Sequence, residues 1–242
     1  MNSLRWPFPG SDAVTRSYSQ AHQDLFVLSA LCGKRNGTFL ELGAGDPVKD
    51  SNTWLLESGF GWTGLSINKD PAAAHGFAAR RACRFLLADA LTLDYRDALA
   101  GFGGRIDYLS LDIDDQTLEC LRVLPLDRYR FSIVTLEHDA YNGSTVARQE
   151  SRALLSANEY ELVFGNVAIG GREFEDWWLD AAAFDRATID KFKRDSDEPL
   201  ESNQYVLGRF DWERRVQFEG GECGKWTAML SQEVERVVAV RT

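Results

Sequence analysis

The sequence predicts an α/β fold built on a doubly wound, mostly parallel sheet. Two observations carry this prediction. Short apolar segments alternate with helical segments over the first two-thirds of the 242 residues. These apolar segments do not alternate with polar residues, which is typical of parallel strands covered by helices on both faces. The length suits one large domain with a sizeable core.

Six apolar runs read as strands because each ends at a polar, glycine or proline turn. They are Thr38–Leu42, Thr63–Ile67, Phe85–Leu87, Ile106–Leu111, Arg130–Leu136 and Tyr160–Phe164. The helices predicted between them are Ser51–Ser58, Pro71–Cys83, Gln116–Leu124 and Ser144–Ala157. Pro71 suits the first turn of its helix, where its missing N–H costs nothing.

The regular alternation ends after Gly171. An aromatic run, Phe174–Trp178, is followed by a predicted helix, Asp180–Arg194, and a polar turn, Asp195–Pro199. A last helix is predicted over Lys225–Val237. We therefore expect one α/β domain over residues 1–180 and a C-terminal extension, 181–242, packed on the same domain.

The charge balance narrows the class of partner. With 27 Lys+Arg against 37 Asp+Glu, the net charge is −10, which disfavours nucleic acid and anionic membranes as partners. No run resembles a signal sequence or a membrane span. The 4 cysteines are too widely spaced for a metal motif or a disulfide scaffold. A cytoplasmic protein with a small-molecule partner is the expectation.

Polar residues collect where the predicted strands end. The groups are Glu41 with Gly43–Asp46, Asn68 with Asp70, Asp89, Asp112 with Asp114, and Glu137 with His138. Ligands of doubly wound sheets bind at the carboxyl ends of the strands. Any one of these residues could be a helix cap or a solvated turn. Five strand ends together favour a ligand site.

The glycine loop Gly43-Ala-Gly45 departs from the dinucleotide fingerprint, because no third glycine follows and Pro47 comes soon after. A pyrophosphate ligand is therefore disfavoured. A nucleoside without phosphates fits better, with Glu41 and Asp46 near a cationic group. S-adenosylmethionine has this character.

Several spaced motifs resemble one known family. They are Gly37–Pro47, Ser51–Glu57, Gly61–Leu65, Asp107–Asp114, Val134–Asp139, Tyr160–Val163, and Tyr18–Gln20 with Gln23 and Asp24. Together they resemble, over about residues 18 to 180, an FkbM-type S-adenosylmethionine-dependent methyltransferase. The resemblance implies a Rossmann-like class I fold with a seven-stranded sheet and an N-terminal covering helix. It does not imply a particular substrate.

The resemblance also implies the cofactor-binding residues, which follow the first four strands. They are Glu41, Gly43, Ala44, Gly45, Asp46, Ser51, Asn52, Asn68, Asp89, Ala90 and Asp112. Asn68 stands where the family usually has a glutamate that grips the ribose hydroxyls. A neutral amide binds hydroxyls more weakly than a carboxylate does. Pro47 and Asp115 stand where the family commonly has glycine.

Methyl transfer to a hydroxyl needs a positioned acceptor and a base for its proton. The predicted catalytic residues are His138, Asp112 and Glu137, with His138 as the base because its ordinary pKa lies near neutrality. The alternative is a structural histidine bonded to a neighbouring carboxylate. His22 is a distant second choice for the base.

Two further features allow more than one interpretation. Asp112, Asp114, Glu137 and His138 could together hold Mg²⁺ or Mn²⁺, but their spacing is no known metal motif and no metal site is predicted. The aromatic residues Phe174, Trp177 and Trp178 could stack on an acceptor, although a packing role is favoured.

Three function classes stay open. The favoured one is O-methylation of a sugar or natural-product hydroxyl. A non-catalytic module that binds S-adenosylmethionine is the alternative, and an NAD(P)-dependent oxidoreductase is third. The segment Tyr205–Trp226 could form a homodimer contact or a lid over the acceptor.

Overall fold

The computed structural model describes residues 4–207. Its strands are β1 Thr38–Leu42, β2 Thr63–Asn68, β3 Arg84–Leu87, β4 Arg105–Leu111, β5 Arg130–Glu137, β6 Tyr160–Ile169, β7 Arg172–Asp180 and β8 Leu200–Glu201. Its α-helices are α1 Gln23–Ala30, α2 Trp54–Phe60, α3 Pro71–Arg80, α4 Tyr95–Ala98, α5 Thr117–Val123, α6 Val146–Ala157, α7 Arg186–Phe192 and α8 Ser202–Leu207.

The described strands form one sheet in the order β3-β2-β1-β4-β5-β7-β6-β8. Strands β1 to β5 are mutually parallel, and β1 lies between β2 and β4. The strand order therefore reverses between β1 and β4, which is where a doubly wound sheet opens a crevice for ligands. The predicted fold class is confirmed, with eight strands where seven were expected.

The antiparallel part of the sheet is formed by the β6–β7 hairpin. β7 pairs antiparallel with both β5 and β6, so it is inserted between two strands that precede it in sequence. The aromatic run Phe174–Trp178 belongs to this strand, although the sequence did not predict a strand there. Trp177 and Trp178 are fully buried on opposite faces of the sheet, and the predicted packing role is what the structure shows.

Each face of the sheet has its own core. The N-terminal face, marked by Phe39, Tyr108 and Trp177, packs against α1 and the first residues of the described chain. The α6 face, marked by Leu136 and Trp178, packs against α5 and α6. Because side chains alternate along a strand, neighbouring residues at a strand end belong to different faces.

The structure corrects several element predictions. The N-terminal helix begins at Gln23, and His22 precedes it with a positive φ of 65°. The helix predicted from Asp180 begins only at Arg186, because β7 continues to Asp180. Helix α4 was not predicted. Within residues 4–207, no helix is long and apolar enough to cross a bilayer.

The described part of the C-terminal extension adds β8 to the sheet beside β6 and places Tyr205 in the core. The predicted helix Lys225–Val237 and most of Tyr205–Trp226 lie outside the described residues. Cys32, Cys83 and Cys120 are free thiols, as expected, and Cys223 lies outside the described residues.

Candidate functional site

The loop after β1 comes close to the end of β4. Gly43 has a φ of 88°, and a Cβ built on it would lie 1.6 Å from the carbonyl oxygen of Asp112. Only glycine fits there, since the added atom would overlap the backbone. Gly45 differs, because nothing lies within 4 Å of the place its Cβ would take. The loop is thus packed at Gly43 and open at Gly45.

Glu41 lies beneath this loop and is buried. Its Oε2 accepts hydrogen bonds from Ser66 Oγ at 2.6 Å and Thr53 Oγ1 at 3.0 Å. Burial raises the pKa of Glu41, and the charge of Arg81 partly offsets that rise. Glu41 was predicted to lie near a cationic ligand group. In the structure its carboxylate already accepts hydrogen bonds from two hydroxyl groups of the protein.

Asn52 holds a buried polar atom without a partner. Its Nδ2 donates to Ser110 Oγ at 2.9 Å, and Ser110 on β4 is the register partner of Glu41 on β1. Its Oδ1 is buried and accepts no hydrogen bond from any described residue. The exposed fraction of Asn52 is 6%. An unsatisfied buried carbonyl costs about 1–3 kcal/mol, so it points to a donor from a ligand or water.

Asn68 closes the loop from the other side. Its Nδ2 donates to the carbonyl oxygen of Ala44 at 2.8 Å, and its Oδ1 accepts from the Asp70 N–H at 2.8 Å. Both polar groups of the amide are thus used inside the protein. A glutamate in this position could not donate to Ala44.

The other predicted cofactor residues are arranged around this loop. Asp46 is exposed, and its Oδ1 accepts from the N–H groups of Val48 and Lys49. Ser51 is buried, and its hydroxyl accepts from the Trp54 N–H at 3.1 Å. Asp89 is exposed beyond β3 and bonds within its own turn, while Ala90 is buried.

Asp112 and Glu137 form a hydrogen-bonded carboxyl pair at the ends of β4 and β5. Burial raises the pKa of both groups, and their mutual repulsion raises that of Glu137 further. Two carboxyl groups this close share one proton near neutral pH. The Asp114 N–H also donates to Glu137 Oε2 at 3.0 Å. The structure therefore brings these two predicted catalytic residues together.

A cluster of three carboxylates overlaps this pair at Glu137. Asp114, Glu137 and Asp139 each offer an oxygen atom, all within 4.8 Å of one another. This set shares Asp114 and Glu137 with the possible ligands named from the sequence, but it contains Asp139 and lacks Asp112 and His138. Exposed acidic groups often gather without a metal, so the cluster alone assigns no ion.

His138 lies on the other side of the sheet from this pair. Its side chain is fully buried on the α6 face, where Nε2 lies 3.4 Å from Asp176 Oδ1. Its Nδ1 accepts from the Ala140 N–H at 3.2 Å. Arg152 from α6 binds both oxygens of Asp176, at 2.6 and 2.8 Å. This surrounding favours the structural alternative for His138 over the role of base.

His22, the second candidate for the base, is also buried. Its Nδ1 lies 3.1 Å from Ser202 Oγ, and burial lowers its pKa to about 4. The imidazole is therefore neutral over the physiological range and lies against α8.

Sequence reasoning missed Glu175. This residue is the register partner of Glu137 and lies fully buried on the N-terminal face. Its Oε2 accepts from Gln23 Nε2 at 2.9 Å and Trp177 Nε1 at 2.6 Å. Burial raises the pKa of Glu175 to about 8. The signal was present, because a charged pair interrupts the aromatic run Phe174–Trp178.

No protein-family model and no curated protein matches this chain. Solved structures do resemble it. Cofactor-bound Rv0187 from MTB is 17% identical, with a TM-score of 0.50, covering 71% of this chain and 86% of its own. The O-methyltransferase from Bacillus cereus in complex with SAH is 14% identical, with a TM-score of 0.48, covering 71% and 86%.

A third similar structure is the SAH-bound Podospora anserina methyltransferase PaMTH1. It is 14% identical, with a TM-score of 0.47, covering 72% of this chain and 83% of its own. At identities this low, the likeness shows the fold. The chain has a Rossmann-like α/β fold over most of the described residues.

Proposed function

We propose that this protein is an FkbM-type methyltransferase that uses S-adenosylmethionine to methylate a hydroxyl group of a small molecule. The observation that carries the proposal is the unpartnered Oδ1 of Asn52 at the point where the strand order reverses. A buried acceptor at this point suits the ammonium group of an amino-acid tail. The solved structures of this fold with bound SAH lend support.

The residues around the loop after β1 fit that cofactor. Gly45 leaves open space beside the backbone, and Asn52 offers its acceptor atom. The carboxyl edge of the sheet supplies negative charge near a sulfonium through Asp112 and Glu137. The cofactor supplies an electrophilic methyl group when it is bound.

The proton chemistry falls to the Asp112–Glu137 pair. When the acceptor oxygen takes the methyl group, its hydroxyl proton must leave, and a carboxylate in contact can accept it. A pair that holds one proton still has one ionised carboxylate, which can accept the proton of the hydroxyl group. His138 as the base remains the weaker proposal, because its imidazole lies on the α6 face.

The acidic edge also favours one class of acceptor. Asp114, Asp115, Glu137 and Asp139 line the same edge, which would repel phosphates. A neutral sugar or natural-product hydroxyl suits this field better than a nucleic acid. The NAD(P)-dependent alternative is disfavoured for the same reason.

A second candidate function rests on Asn68. Because its amide is used by Ala44 and Asp70, Asn68 offers no charged acceptor to ribose hydroxyls, which weakens the grip on the cofactor. A weakened cofactor site on an intact fold suits a module that has lost turnover.

Two measurements separate these functions. Calorimetry with S-adenosylhomocysteine should show binding, whereas NAD should give no heat of binding. A screen of glycosides and phenols with radiolabelled S-adenosylmethionine should then find an acceptor that the Asp112→Asn variant fails to methylate. Tight S-adenosylhomocysteine binding with no acceptor would favour the non-catalytic module. Binding of NAD alone would reject both.

A further inference from the structure

Arg81 lies directly after α3 and has a side chain with no solvent exposure. Burying a guanidinium costs several kcal/mol unless its donors are paired. The guanidinium N–H groups bind three oxygen atoms of the segment between β1 and α2 and one carboxylate oxygen, that of Glu57. An arginine buried this completely does not serve as a surface charge, so we ask what its contacts do inside the protein.

The contacts of Arg81 concentrate on the positioning segment, which we define as Pro47–Thr53. Its Nη1 donates to the Pro47 carbonyl oxygen at 2.9 Å and Ser51 Oγ at 3.3 Å. Its Nη2 donates to Thr53 Oγ1 at 2.8 Å. Nε pairs with Glu57 Oε2 at 3.0 Å, in the first turn of α2.

Thr53 links Arg81 to Glu41 through two hydrogen bonds. The Thr53 hydroxyl accepts from Arg81 and donates its own hydrogen to Glu41 Oε2. The guanidinium is therefore connected through one hydroxyl to the carboxylate beneath the glycine loop. It also stacks near the ring of Phe77, with 5.1 Å from Cζ to the ring centroid, which further fixes its plane.

Asn52 lies between two residues that Arg81 holds. Ser51 and Thr53 both bind the guanidinium, so the backbone on each side of Asn52 is fixed. The unpartnered Oδ1 of Asn52 can point at a ligand only while this backbone keeps its shape.

We propose that Arg81 is a positioning residue for cofactor binding, which holds Pro47–Thr53 so that Asn52 and Glu41 face the bound cofactor. The inference rests on the proposed function. Arg81 itself touches no reacting atom. Lysine cannot replace it, because an ammonium group lacks the planar fork that reaches Pro47, Ser51 and Thr53 together.

The test compares Arg81→Lys with Arg84→Lys, a matched control at an exposed arginine whose recorded hydrogen bond goes to Ala98. We expect the Kd for S-adenosylhomocysteine to rise about 10- to 100-fold in Arg81→Lys and to stay unchanged in Arg84→Lys. With an acceptor in hand, KM for S-adenosylmethionine should rise while kcat at saturation stays within about 3-fold.

Hydrogen exchange of the ligand-free proteins supplies the independent measurement. Amides of residues 47–53 should exchange faster in Arg81→Lys, with no change in β4 and β5. If Arg81→Lys does not fold, Thr53→Val serves instead, since it removes the hydroxyl that joins Arg81 to Glu41. The same loss of affinity and faster exchange are expected.

The outcomes separate the two proposals. A wild-type protein that binds no S-adenosylhomocysteine overturns the proposed function. Wild-type-like affinity in a folded Arg81→Lys overturns the role of Arg81 alone. Unchanged exchange at residues 47–53 also overturns it, whatever the binding result.

Discussion

Two neighbouring side chains at the end of β5 have opposite surroundings. Glu137 pairs with Asp112 on the N-terminal face, while His138 meets Asp176 on the α6 face. The alternation of side chains along an extended backbone produces this separation. Although burial would raise the pKa of Asp176, hydrogen bonds from Arg152 and His138 lower it to about 2. Asp176 is therefore ionised at physiological pH, and its Oδ1 lies 3.4 Å from Nε2 of His138.

The first prediction concerns this pair of neighbours. His138→Gln should keep kcat within about 3-fold and lower the free energy of unfolding by about 1–3 kcal/mol, because the Ala140 N–H loses its acceptor, His138 Nδ1. At the carboxyl pair beside it, Asp112→Asn should lower kcat at least ~10²-fold, because Glu137, with its pKa raised to about 11, keeps the shared proton and Asp112 is the ionised base. Methyl-transfer rates and urea unfolding measure both. The reverse pattern would make His138 the base.

A second prediction concerns Asn68. Asn68→Asp replaces the donor to the Ala44 carbonyl by a carboxylate oxygen, so two acceptors would face each other. We expect the free energy of unfolding to fall by about 1–3 kcal/mol and S-adenosylhomocysteine affinity to fall with it. Chemical denaturation and calorimetry are the measurements. Tighter binding at unchanged stability would show instead that a carboxylate at this position grips the ribose.

At the scale of the element, the third prediction concerns the loop after β1. Gly43 is tightly packed there, whereas Gly45 faces open space. Gly43→Ala should cost about 3 kcal/mol or more, because the new Cβ overlaps the Asp112 carbonyl. Gly45→Ala should change stability by less than about 0.5 kcal/mol but weaken S-adenosylhomocysteine binding at least ~10-fold, because the methyl group enters the open space. Thermal unfolding and calorimetry report both effects. Unchanged binding in Gly45→Ala would place the cofactor elsewhere.

The elements of the parallel half could be predicted from the sequence to within a few residues. β1 matches its predicted bounds, Thr38–Leu42, because a short apolar run there ends at a glycine turn. β7 could not be predicted in the same way. Glu175 and Asp176 interrupt its apolar character, and their burial depends in part on partners distant in sequence, Gln23 and Arg152.

The residues of the candidate site were also predictable only in part. The residues that follow each strand could be predicted, because the carboxyl ends of parallel strands meet at one edge. Glu137 and His138 were predicted to act in one site, although alternation along β5 places them on opposite faces. The enclosure of Arg81 could not be foreseen, because it depends on contacts across 24 to 34 residues of chain.

At the scale of the whole molecule, buried carboxyl groups give stability a distinct pH dependence. Burial raises the pKa of Asp24, Glu41 and Glu175, so the folded state keeps protons that the unfolded chain loses above its ordinary pKa. Stability contributed by these groups therefore falls as pH rises. Asp176 acts oppositely, since its stabilisation is lost as pH falls from about 4 toward its pKa of about 2.

A fourth prediction isolates Glu175. Between the unfolded pKa of about 4.5 and the folded pKa of about 8, the wild-type free energy of unfolding should fall by about 1.4 kcal/mol per pH unit on account of this group. Glu175→Gln should remove that slope, because its amide oxygen still accepts from Gln23 and Trp177 but cannot titrate. Urea unfolding between pH 5.5 and 7.5 measures the difference. Equal slopes in both proteins would show that Glu175 does not titrate there.

The contact between the two ends of the described chain has a consequence for synthesis on the ribosome. The Arg5 N–H donates to the Val206 carbonyl at 2.9 Å, and the ring of Trp6 packs against Phe192 and Tyr205. Because synthesis runs from the N-terminus, Arg5 and Trp6 can reach their buried positions only after Tyr205 and Val206 have been made. In refolding of the whole chain the same contact must close a very long loop, so pulse-labelled exchange should show the Arg5 amide among the last to gain protection.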